Sequence, residues 1–507
     1  MYDLLIIGGG INGAGIARDA AGRGLSVLLC EKDDLASHTS SASTKLIHGG
    51  LRYLEYYDFA LVRKALIERE VLLKSAPHII WPMRFVLPQN NGTRPAWLVR
   101  LGLFLYDHLG GREILPGTKT LKRGKSPRLD PLKSEYARAF EYSDCWVEDS
   151  RLVTLNAVDA KERGAVVMTR TECTILSAEN GMWTATLNSN TGETKTVSAK
   201  AVINAAGPWV DQVAGFAMPK SNAERVRLVK GSHIIVDALF EGEQAYFFQN
   251  QDGRIIFAIP YENGAFTLIG TTDEAYDDNP QNVKISNEEI DYLCECANEY
   301  FQKRITSDDV VSTYSGVRPL YDDKSADASA VTRDYVLSTK MVEDAKIVSV
   351  YGGKITTYRK LAEDVIAELG DTFPNMGPKW TKDSHLPGGD IPNADFEVFF
   401  QSLTAVYPWL ETALLRRLLR AYGTRIKDVL GTATSVDDLG HHYGSGLYQK
   451  EIDYLLTAEF AQSADDILYR RSKLYLQMSE QEQSDLRSAL TDRDPTKRSI
   501  RHEQPTR

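Results

Sequence analysis

The chain has 507 residues, more than one hydrophobic core usually holds, so two or three domains are expected. Its 43% hydrophobic and 25% charged residues are typical of a globular protein, and its net charge of -10 argues against general binding of nucleic acid. The five cysteines are scattered and odd in number, which excludes a disulfide framework and indicates a reducing compartment; we expect no metal site.

The N-terminal segment up to Glu31 predicts a dinucleotide-binding unit. An apolar strand over residues 3–7 is followed by Gly8-x-Gly10-x-x-Gly13, a helix of small residues, a second apolar strand and then Glu31. Gly8 allows a tight turn, Gly10 lets a pyrophosphate approach the backbone, and Gly13 lets helix and strand pack closely. The helix N-terminus attracts the anion, and Glu31 would bind an unphosphorylated ribose, which favours FAD or NAD over NADP. Because the unit begins at the second residue, we expect no leader peptide.

The next stretch of the chain contains two predicted helices. A regular helical pattern covers residues 59–75, and an apolar segment covers residues 96–106. The apolar segment is too short to cross a bilayer. We expect a buried core helix there; the alternative is a helix that lies in a membrane interface, because Trp, Tyr and Arg stand at its edges.

The central part of the chain alternates between strand and helix patterns. A strand-and-helix set with a hairpin turn at Glu179-Asn180-Gly181 is predicted over residues 165–187, and antiparallel hairpins are predicted over residues 226–272. The other predicted elements are a strand ending at Ala206-Gly207, a helix over 287–304, strands over 310–317 and 347–351, and a helix over 357–369.

The C-terminal part is predicted to be helical. Residues 372–392 are rich in Pro and Gly and indicate a linker, and amphipathic segments follow at residues 414–419 and 465–471. The polar tail after Arg493 is expected to be disordered.

Two clusters combine glycine with histidine. In His48-Gly49-Gly50-Leu51-Arg52-Tyr53 the glycines permit close approach to a planar ring, while His48 and Arg52 can face one cavity. The alternative is a structural turn with an exposed arginine. In Lys230-Gly231-Ser232-His233 the single histidine fits a core or surface position as well as a functional one.

Two arginines stand at strand ends. Arg318 is followed by Pro319, which forbids a helix, and Arg333 lies at a possible strand start. Paired guanidinium groups bind a phosphate or a carboxylate through bidentate hydrogen bonds. The alternative is an ion pair with Asp322 or Asp334.

The turns at Ala206-Gly207 and Gly352-Gly353-Lys354 favour FAD over NAD. A flavin needs protein along its whole length, and a soluble nicotinamide carrier would not require a fixed cation at its ring. A lysine at a helix N-terminus would stabilise the anionic reduced flavin, which is the role expected for Lys354.

These motifs resemble the FAD-dependent glycerol-3-phosphate dehydrogenases over nearly the whole chain. The resemblance is carried by Gly8 to Gly15, Ser40 to Leu54, Ala206-Gly207-Pro208-Trp209, Gly316 to Leu320, Thr332-Arg333-Asp334-Tyr335, Gly352 to Lys360 and Ala464 to Arg471. Tyr469 departs from the pattern, in which Trp is expected. There is no calcium-binding loop of the mitochondrial kind, so the bacterial aerobic form is the nearer resemblance.

The resemblance implies oxidation of sn-glycerol 3-phosphate to dihydroxyacetone phosphate, with hydride transfer to FAD and electrons passed to ubiquinone or menaquinone. It also implies a homodimer that is peripheral on the cytoplasmic face of the inner membrane. The rivals are an FAD-dependent amine or 2-hydroxy-acid oxidoreductase of the same superfamily and a flavin-free binding protein on the same fold.

The resemblance also suggests roles for individual residues. His233 is the leading general base and His48 the rival, while Lys354 and Arg318 assist catalysis and Arg52, Tyr53, Arg318 and Arg333 contact substrate. The residues expected to bind the cofactor are Gly8, Gly10, Gly13, Glu31, Ser40, Ser43, Lys45, His48, Gly49, Gly50, Ala206, Gly207, Gly353, Lys354, Ile355 and Thr356.

The expected fold class is α/β, with three parts. Residues 1–80, 145–225 and 315–371 would form a Rossmann-type FAD-binding domain. Residues 81–144 and 226–314 would form an inserted substrate or cap domain with a mixed or antiparallel sheet, and the linker 372–392 would lead to an all-α domain over 393–507.

Overall fold

Two large β-sheets organise the computed structural model of this chain, which describes residues 1–90, 94–217, 226–250, 252–321 and 334–491. The strands are β1 (Tyr2–Ile7), β2 (Val27–Cys30), β3 (Leu46–Ile47), β4 (Ile80–Gln89), β5 (Lys119–Lys122), β6 (Arg138–Val147), β7 (Val166–Met168), β8 (Thr171–Glu179), β9 (Met182–Ser189), β10 (Thr194–Asn204), β11 (Val226–Asp237), β12 (Ala245–Gln249), β13 (Ile255–Tyr261), β14 (Phe266–Gly270), β15 (Glu274–Ala275), β16 (Val310–Tyr321), β17 (Val336–Val342), β18 (Ala345–Tyr351), β19 (His442–Gly444) and β20 (Leu447–Tyr448).

The α-helices lie between and after these strands. They are α1 (Ile11–Gly22), α2 (Phe59–Ser75), α3 (Ala96–Leu109), α4 (Asp149–Glu162), α5 (Val210–Ala217), α6 (Asn287–Tyr300), α7 (Tyr358–Ala367), α8 (Phe396–Val406), α9 (Thr412–Tyr422), α10 (Ile426–Leu430), α11 (Gln449–Ala458) and α12 (Glu480–Thr491).

The first sheet has the order β17-β18-β10-β1-β2-β7, with the hairpin β8-β9 joined to β10. Its central strands β18, β10, β1, β2 and β7 run parallel, and helix α1 packs against α4 and α7 over the sheet. The centre of the sheet is fully buried, as parallel strands with apolar runs require. The predicted strand, glycine turn, helix and second strand at the N-terminus are confirmed, although α1 already begins at Ile11.

The second sheet has the order β15-β11-β14-β13-β12-β4-β6-β3, with β16 paired to β11 and β5 to β6. The antiparallel hairpins predicted over residues 226–272 are confirmed by the pairing of β11 with β14 and of β13 with β14. Helix α6 packs on this sheet and begins with a capping box between Ser286 and Glu289. It ends at Tyr300, four residues before its predicted end at Arg304.

Two local predictions are wrong. Residues 165–187 contain no helix, because alternate side chains of β8 and β9 are buried, which is the period of a strand. The turn at Asn180-Gly181 between them is confirmed. The C-terminal part also contains the hairpin β19-β20, where Gly444 and Gly446 take a positive φ that interrupts a helix. The segment Asp466–Arg471 is a π-helical turn, in which the amide of Ser472 donates to the carbonyl of Ile467 at 2.9 Å.

Helix α3 corrects the expectation of a buried core helix. Only one stripe, formed by Val99, Leu103 and Tyr106, is buried, because these side chains recur at helical spacing. The other side exposes Trp97 by 70%, Leu98 by 45%, Leu101 by 48%, Phe104 by 52% and Leu105 by 36%. Within the described ranges, none of the helices combines the length and the apolar character that crossing a bilayer requires.

Candidate active site

A cavity of about 370 Å³ opens at the carboxyl edge of the first sheet. Because β1, β2, β10 and β18 are parallel, the turns that follow them meet at this edge, as in other folds of this type. Seven of the predicted cofactor residues line the cavity, namely Gly8, Gly10, Glu31, Ser40, Ala206, Gly207 and Gly353. The tertiary structure therefore joins turns that are more than three hundred residues apart along the chain.

The glycine turn has no room for side chains. Gly8 has a φ of +112°, and a Cβ atom there would lie 2.4 Å from the carbonyl oxygen of Ala205. A Cβ atom on Gly13 would lie 1.9 Å from the carbonyl oxygen of Gly8, so Gly13 packs under the turn. A backbone this close to the cavity wall suits the approach of a pyrophosphate to the start of α1.

Glu31 stabilises the same turn through hydrogen bonds to backbone amides. One carboxylate oxygen accepts the amide N–H of Gly9 at 2.6 Å, and the other accepts that of Asp33 at 2.9 Å. Burial raises the pKa of Glu31 against the lowering effect of these bonds. The residue lies at the end of β2 and lines the cavity, where its carboxylate can accept a ribose hydroxyl. Glycine backbone, helix N-terminus and acid together fit the adenosine diphosphate end of FAD.

The cavity is also lined by residues that were not among the predicted cofactor residues, including Asn12 and Trp209. The Asn12 side-chain nitrogen donates to the carbonyl oxygen of Gly352 at 3.1 Å, and its buried oxygen has no hydrogen-bond partner among the described residues. Trp209 lies against Lys32, whose Nζ is 3.5 Å from the centre of the indole ring. Asn12 occupies a variable position of the glycine motif, so its spacing carried no signal.

Strands β11 and β16 of the second sheet form a surface that we call the catalytic face. In their register His233 is opposite Tyr314, Gly231 is opposite Gly316, and Val229 is opposite Arg318. Directly paired and alternate residues of antiparallel strands point to the same side of a sheet. His233 and Arg318 therefore share one side and are separated by the two glycines.

His233 is almost completely buried on this face. Its Nε2 lies 3.0 Å from the hydroxyl of Thr44, and its ring stacks on Tyr314 with 4.7 Å between ring centres. Nδ1 has no hydrogen-bond partner within the part of the chain that the structure describes. Burial, with the charges of Lys45 and Arg318, lowers the pKa of His233 to about 3, so the imidazole is neutral near pH 7.

The other predicted histidine, His48, lies near Lys354 of the Gly352-Gly353-Lys354 turn. Burial and the charges of Lys354 and Arg69 lower the pKa of His48 to about 4. Its amide donates to the hydroxyl of Thr356 at 3.2 Å, which joins the two predicted clusters. Lys354 lies over the ring of Tyr53, with Nζ 3.8 Å from the ring centre.

The predicted arginines have different surroundings. Arg318 pairs with Asp273 at 2.8 Å and not with Asp334, which pairs with Lys64 at 3.3 Å. Arg52 is partly buried. Arg333 and Asp322 lie outside the described residues.

The remaining predicted cofactor residues do not line the cavity. Ser43 and Lys45 both bond the buried carboxylate of Asp149, at 2.8 and 2.9 Å. The amide of Gly49 donates to the hydroxyl of Tyr106 at 2.7 Å. Gly50 has a positive φ and precedes the short helix that carries Tyr53, and Ile355 begins the helical turn after Lys354.

A parallel sheet with this glycine turn and acid, together with a second, mixed sheet, is typical of the class of FAD-dependent oxidoreductases. The family model for FAD-dependent oxidoreductases matches residues 3–359, and that for the C-terminal domain of alpha-glycerophosphate oxidase matches residues 379–489. The chain belongs to the FAD-dependent oxidoreductase family and, within it, to the glycerol-3-phosphate dehydrogenases. FAD is its cofactor, and the fold class and family predicted from sequence are confirmed.

Three similar proteins illustrate this membership. D-erythritol 1-phosphate dehydrogenase of Brucella abortus is 55% identical over 95% of this chain and 96% of its own. Glycerol-3-phosphate dehydrogenase of Pseudomonas aeruginosa is 51% identical over 98% of this chain and 96% of its own. The crystal structure of the Bacillus halodurans glycerol-3-phosphate dehydrogenase complexed with FAD is 27% identical, with a TM-score of 0.74 over 97% of this chain and 94% of that one.

Proposed function

We propose that this enzyme oxidises sn-glycerol 3-phosphate to dihydroxyacetone phosphate. The observation that carries the proposal is the presence, on the same side of the catalytic face, of a neutral buried imidazole and a guanidinium group. Oxidation of a phosphorylated secondary alcohol needs both a proton acceptor and a fixed cation for the phosphate. The relatives named as glycerol-3-phosphate dehydrogenases support the choice of substrate.

The proposed chemistry divides two tasks between these groups. His233 accepts the hydroxyl proton at its unpartnered Nδ1, and His48 remains the rival base. Arg318 binds the phosphate with Arg52, Tyr53 and, in our proposal, Arg333. Lys354 orients the reacting oxygen or stabilises the reduced cofactor. Bound FAD supplies the hydride acceptor.

Anaerobic mixing of the purified enzyme with glycerol 3-phosphate tests the proposal. Loss of the visible absorbance of the bound flavin is expected, because hydride transfer reduces it. Glycine and 2-hydroxyglutarate, the substrates of the rival oxidoreductases, serve as controls. A flavin that stays oxidised with glycerol 3-phosphate and bleaches with one of these two would refute the proposal.

A second candidate substrate is D-erythritol 1-phosphate. The relative that carries this name is 55% identical, slightly more than the relatives named for glycerol 3-phosphate that are 49% and 51% identical. Both substrates are polyol monophosphates, so the same cation and base serve either one. The ratio of kcat/KM for the two compounds discriminates between them, and a ratio above one for glycerol 3-phosphate is expected.

We further propose that the enzyme is a homodimer that associates with the cytoplasmic face of the inner membrane and passes its electrons to a quinone. Association with the membrane is supported by α3, whose exposed side carries Trp97, Leu101 and Phe104 beside the cation of Arg100. Apolar side chains of this kind insert at the level of lipid headgroups. Ubiquinone-1 and menadione as electron acceptors test the quinone, and light scattering of the purified enzyme tests the dimer.

Cosedimentation with vesicles of phosphatidylethanolamine and phosphatidylglycerol tests the membrane contact. Phe104→Glu should reduce binding at high salt, where contact of α3 with the lipid is the main attraction left. Val398→Glu is the matched control, because Val398 is also exposed, by 65%, but lies on α8. Equal binding of the two variants would contradict the contact.

A further inference from the structure

A buried cluster of charges joins the C-terminal part of the chain to the FAD-binding part. The Nζ atom of Lys473 lies 2.6 Å from a carboxylate oxygen of Glu148 and 3.1 Å from one of Asp149. Lys473 and Asp149 are almost completely buried. Burial lowers the pKa of Lys473, but these carboxylates outweigh it and raise the pKa above its usual value, so the side chain is a cation at any physiological pH.

The second oxygen of Asp149 holds a turn that we call the 41–45 turn. It accepts the hydroxyl of Ser43 at 2.8 Å and the Nζ of Lys45 at 2.9 Å. Lys45 also donates from Nζ to the carbonyl of Ser41 at 3.0 Å and has a φ of +59°, which L-residues rarely adopt. A strained backbone conformation of this kind persists only where surrounding contacts stabilise it, and the hydrogen bonds of Asp149 to Ser43 and Lys45 do so here.

The 41–45 turn in turn contacts His233. The hydroxyl of Thr44 lies 3.0 Å from Nε2 of His233, and the hydroxyl of Tyr314 donates to the carbonyl of Ser43 at 2.8 Å while its ring stacks on the imidazole. Ala42 packs against Gly316 so closely that a Cβ atom added to Gly316 would lie 2.8 Å from the methyl carbon of Ala42. The 41–45 turn therefore contacts His233, its stacking partner Tyr314 and the neighbouring Gly316.

The contact with Thr44 fits either tautomer of His233, because a hydroxyl group can donate or accept a hydrogen bond, and the two tautomers differ in which nitrogen can act as a base. With its proton on Nε2, the imidazole donates to the Thr44 hydroxyl, and Nδ1 keeps an unshared electron pair. This is the form that a base needs, because only an unprotonated nitrogen accepts the proton of the substrate hydroxyl.

We propose that Lys473 is a positioning residue for the reaction. Through Asp149 and the 41–45 turn, Lys473 holds His233 in the orientation and tautomer in which Nδ1 is unprotonated and can accept the substrate proton. The proposal rests on the proposed function in one respect, namely that His233 is the base. It gives the C-terminal part a role in the chemistry without contact between that part and the substrate.

A more exposed ion pair across the same boundary supplies a control. Arg425 pairs with Glu162 on α4 at 2.5 Å, but neither residue contacts the 41–45 turn in the described part of the chain. Arg425→Met therefore removes a cross-boundary ion pair and leaves the path to His233 intact. If Lys473 acted in stability alone, Lys473→Met would lower the free energy of unfolding but leave the reduction rate per bound flavin unchanged, as in Arg425→Met.

Anaerobic stopped-flow reduction by glycerol 3-phosphate measures the rate effect, with rates normalised to bound flavin. In Lys473→Met the limiting rate constant should fall by about 10-fold or more, because small misplacements of a base are costly, while the apparent substrate Kd changes by less than about 3-fold. Arg425→Met should keep the wild-type rate, and Lys473→Arg should recover part of the loss. If Lys473→Met does not fold, Lys473→Gln, which retains a donor toward Asp149, is measured in the same way.

Nitrogen NMR of histidine-labelled enzyme provides a test that needs no substrate. The signals of His233, assigned by their loss in His233→Gln, should report a single tautomer with a proton on Nε2 in the wild type and a mixture in Lys473→Met. Unchanged signals and a rate within about 2-fold of wild type would overturn the positioning role. If no polyol phosphate reduces the wild-type flavin, the proposed function fails, and the NMR comparison still decides the role of Lys473.

Discussion

The cofactor cavity and the catalytic face differ in the kind of chemical groups that form them. The cavity uses backbone groups and glycines from short turns, and Glu31 is engaged with the backbone amides of Gly9 and Asp33. The catalytic face and the 41–45 turn that contacts it use buried charged and titratable side chains from distant segments, among them Lys45, Asp149 and His233.

The two regions are therefore sensitive to different kinds of substitution. A site made of backbone depends on space, so an added Cβ atom harms it more than a lost charge. A site made of buried charges depends on their balance, because removing one member leaves another unpaired in a medium of low polarity. The two regions should therefore respond differently to charge-removing substitutions and to pH.

Removal of the central carboxylate should have the largest effect. Asp149→Asn leaves Lys45 and Lys473 buried side by side without their shared anion, which should cost about 3 to 5 kcal/mol of unfolding free energy. Urea unfolding followed by tryptophan fluorescence measures this loss. Asp465→Asn, in an exposed pair with Arg487, is the control and should cost less than about 1 kcal/mol. Similar losses in both variants would contradict the charge balance.

Acid should weaken the protein through its buried histidines. Burial lowers the pKa of His233 and His78 to about 3 in each case, so both stay neutral in the folded protein when the unfolded chain takes up protons. Each histidine therefore contributes to the free energy of unfolding above about pH 6.5. This contribution is lost as pH falls toward the folded-state pKa, by about 2 kcal/mol per histidine between pH 7 and pH 5. Thermal midpoints across this range measure it.

Substitution of the exposed His441 provides the control for this pH dependence. His441→Gln should leave the slope of stability against pH unchanged, whereas His78→Gln should make the slope shallower. A protein whose thermal midpoint does not change between pH 7 and pH 5 would show that these histidines are not held neutral.

Loss of the arginine on the catalytic face should mainly weaken substrate binding. Arg318→Ala should raise KM for glycerol 3-phosphate by about 10- to 150-fold, equivalent to about 1.5 to 3 kcal/mol for a charged hydrogen bond, with little change in kcat. Arg254→Ala is a close match, because both side chains are 39% exposed and each pairs with an aspartate. Steady-state kinetics measure both variants, and an unchanged KM in Arg318→Ala would exclude a phosphate contact.

A charge removed from the cofactor cavity should have the smallest effect. Glu31→Gln keeps an acceptor beside the glycine turn, so the Kd for FAD should rise by only about 5-fold, or about 1 kcal/mol. Glu172→Gln, at another acid that lines the cavity, should keep the wild-type Kd. Fluorescence titration of the apoenzyme with FAD measures both. An effect of Glu31→Gln larger than that of Arg318→Ala would break the contrast between the two regions.

The sequence predicted best what short segments encode. The strand, glycine turn and helix of the first unit, the helix Phe59–Ser75 and the hairpin turn at Asn180-Gly181 follow from periodicity and turn residues within a few positions. The family motifs supplied candidate residues in the same way. Errors arose where burial decides the outcome, as in α3, whose composition is apolar all round although one side remains exposed.

The fold class, the cofactor and the chemistry-bearing residue types follow from the sequence, because these depend on local patterns that each segment carries alone. Which of those residues contact one another depends on how the sheets and helices pack. The pairing of His233 with Thr44, and of Lys473 with Asp149 across 324 positions of the chain, cannot be read from spacing. Such contacts exist only after the sheets and the C-terminal helices have packed, when buried charges must find partners.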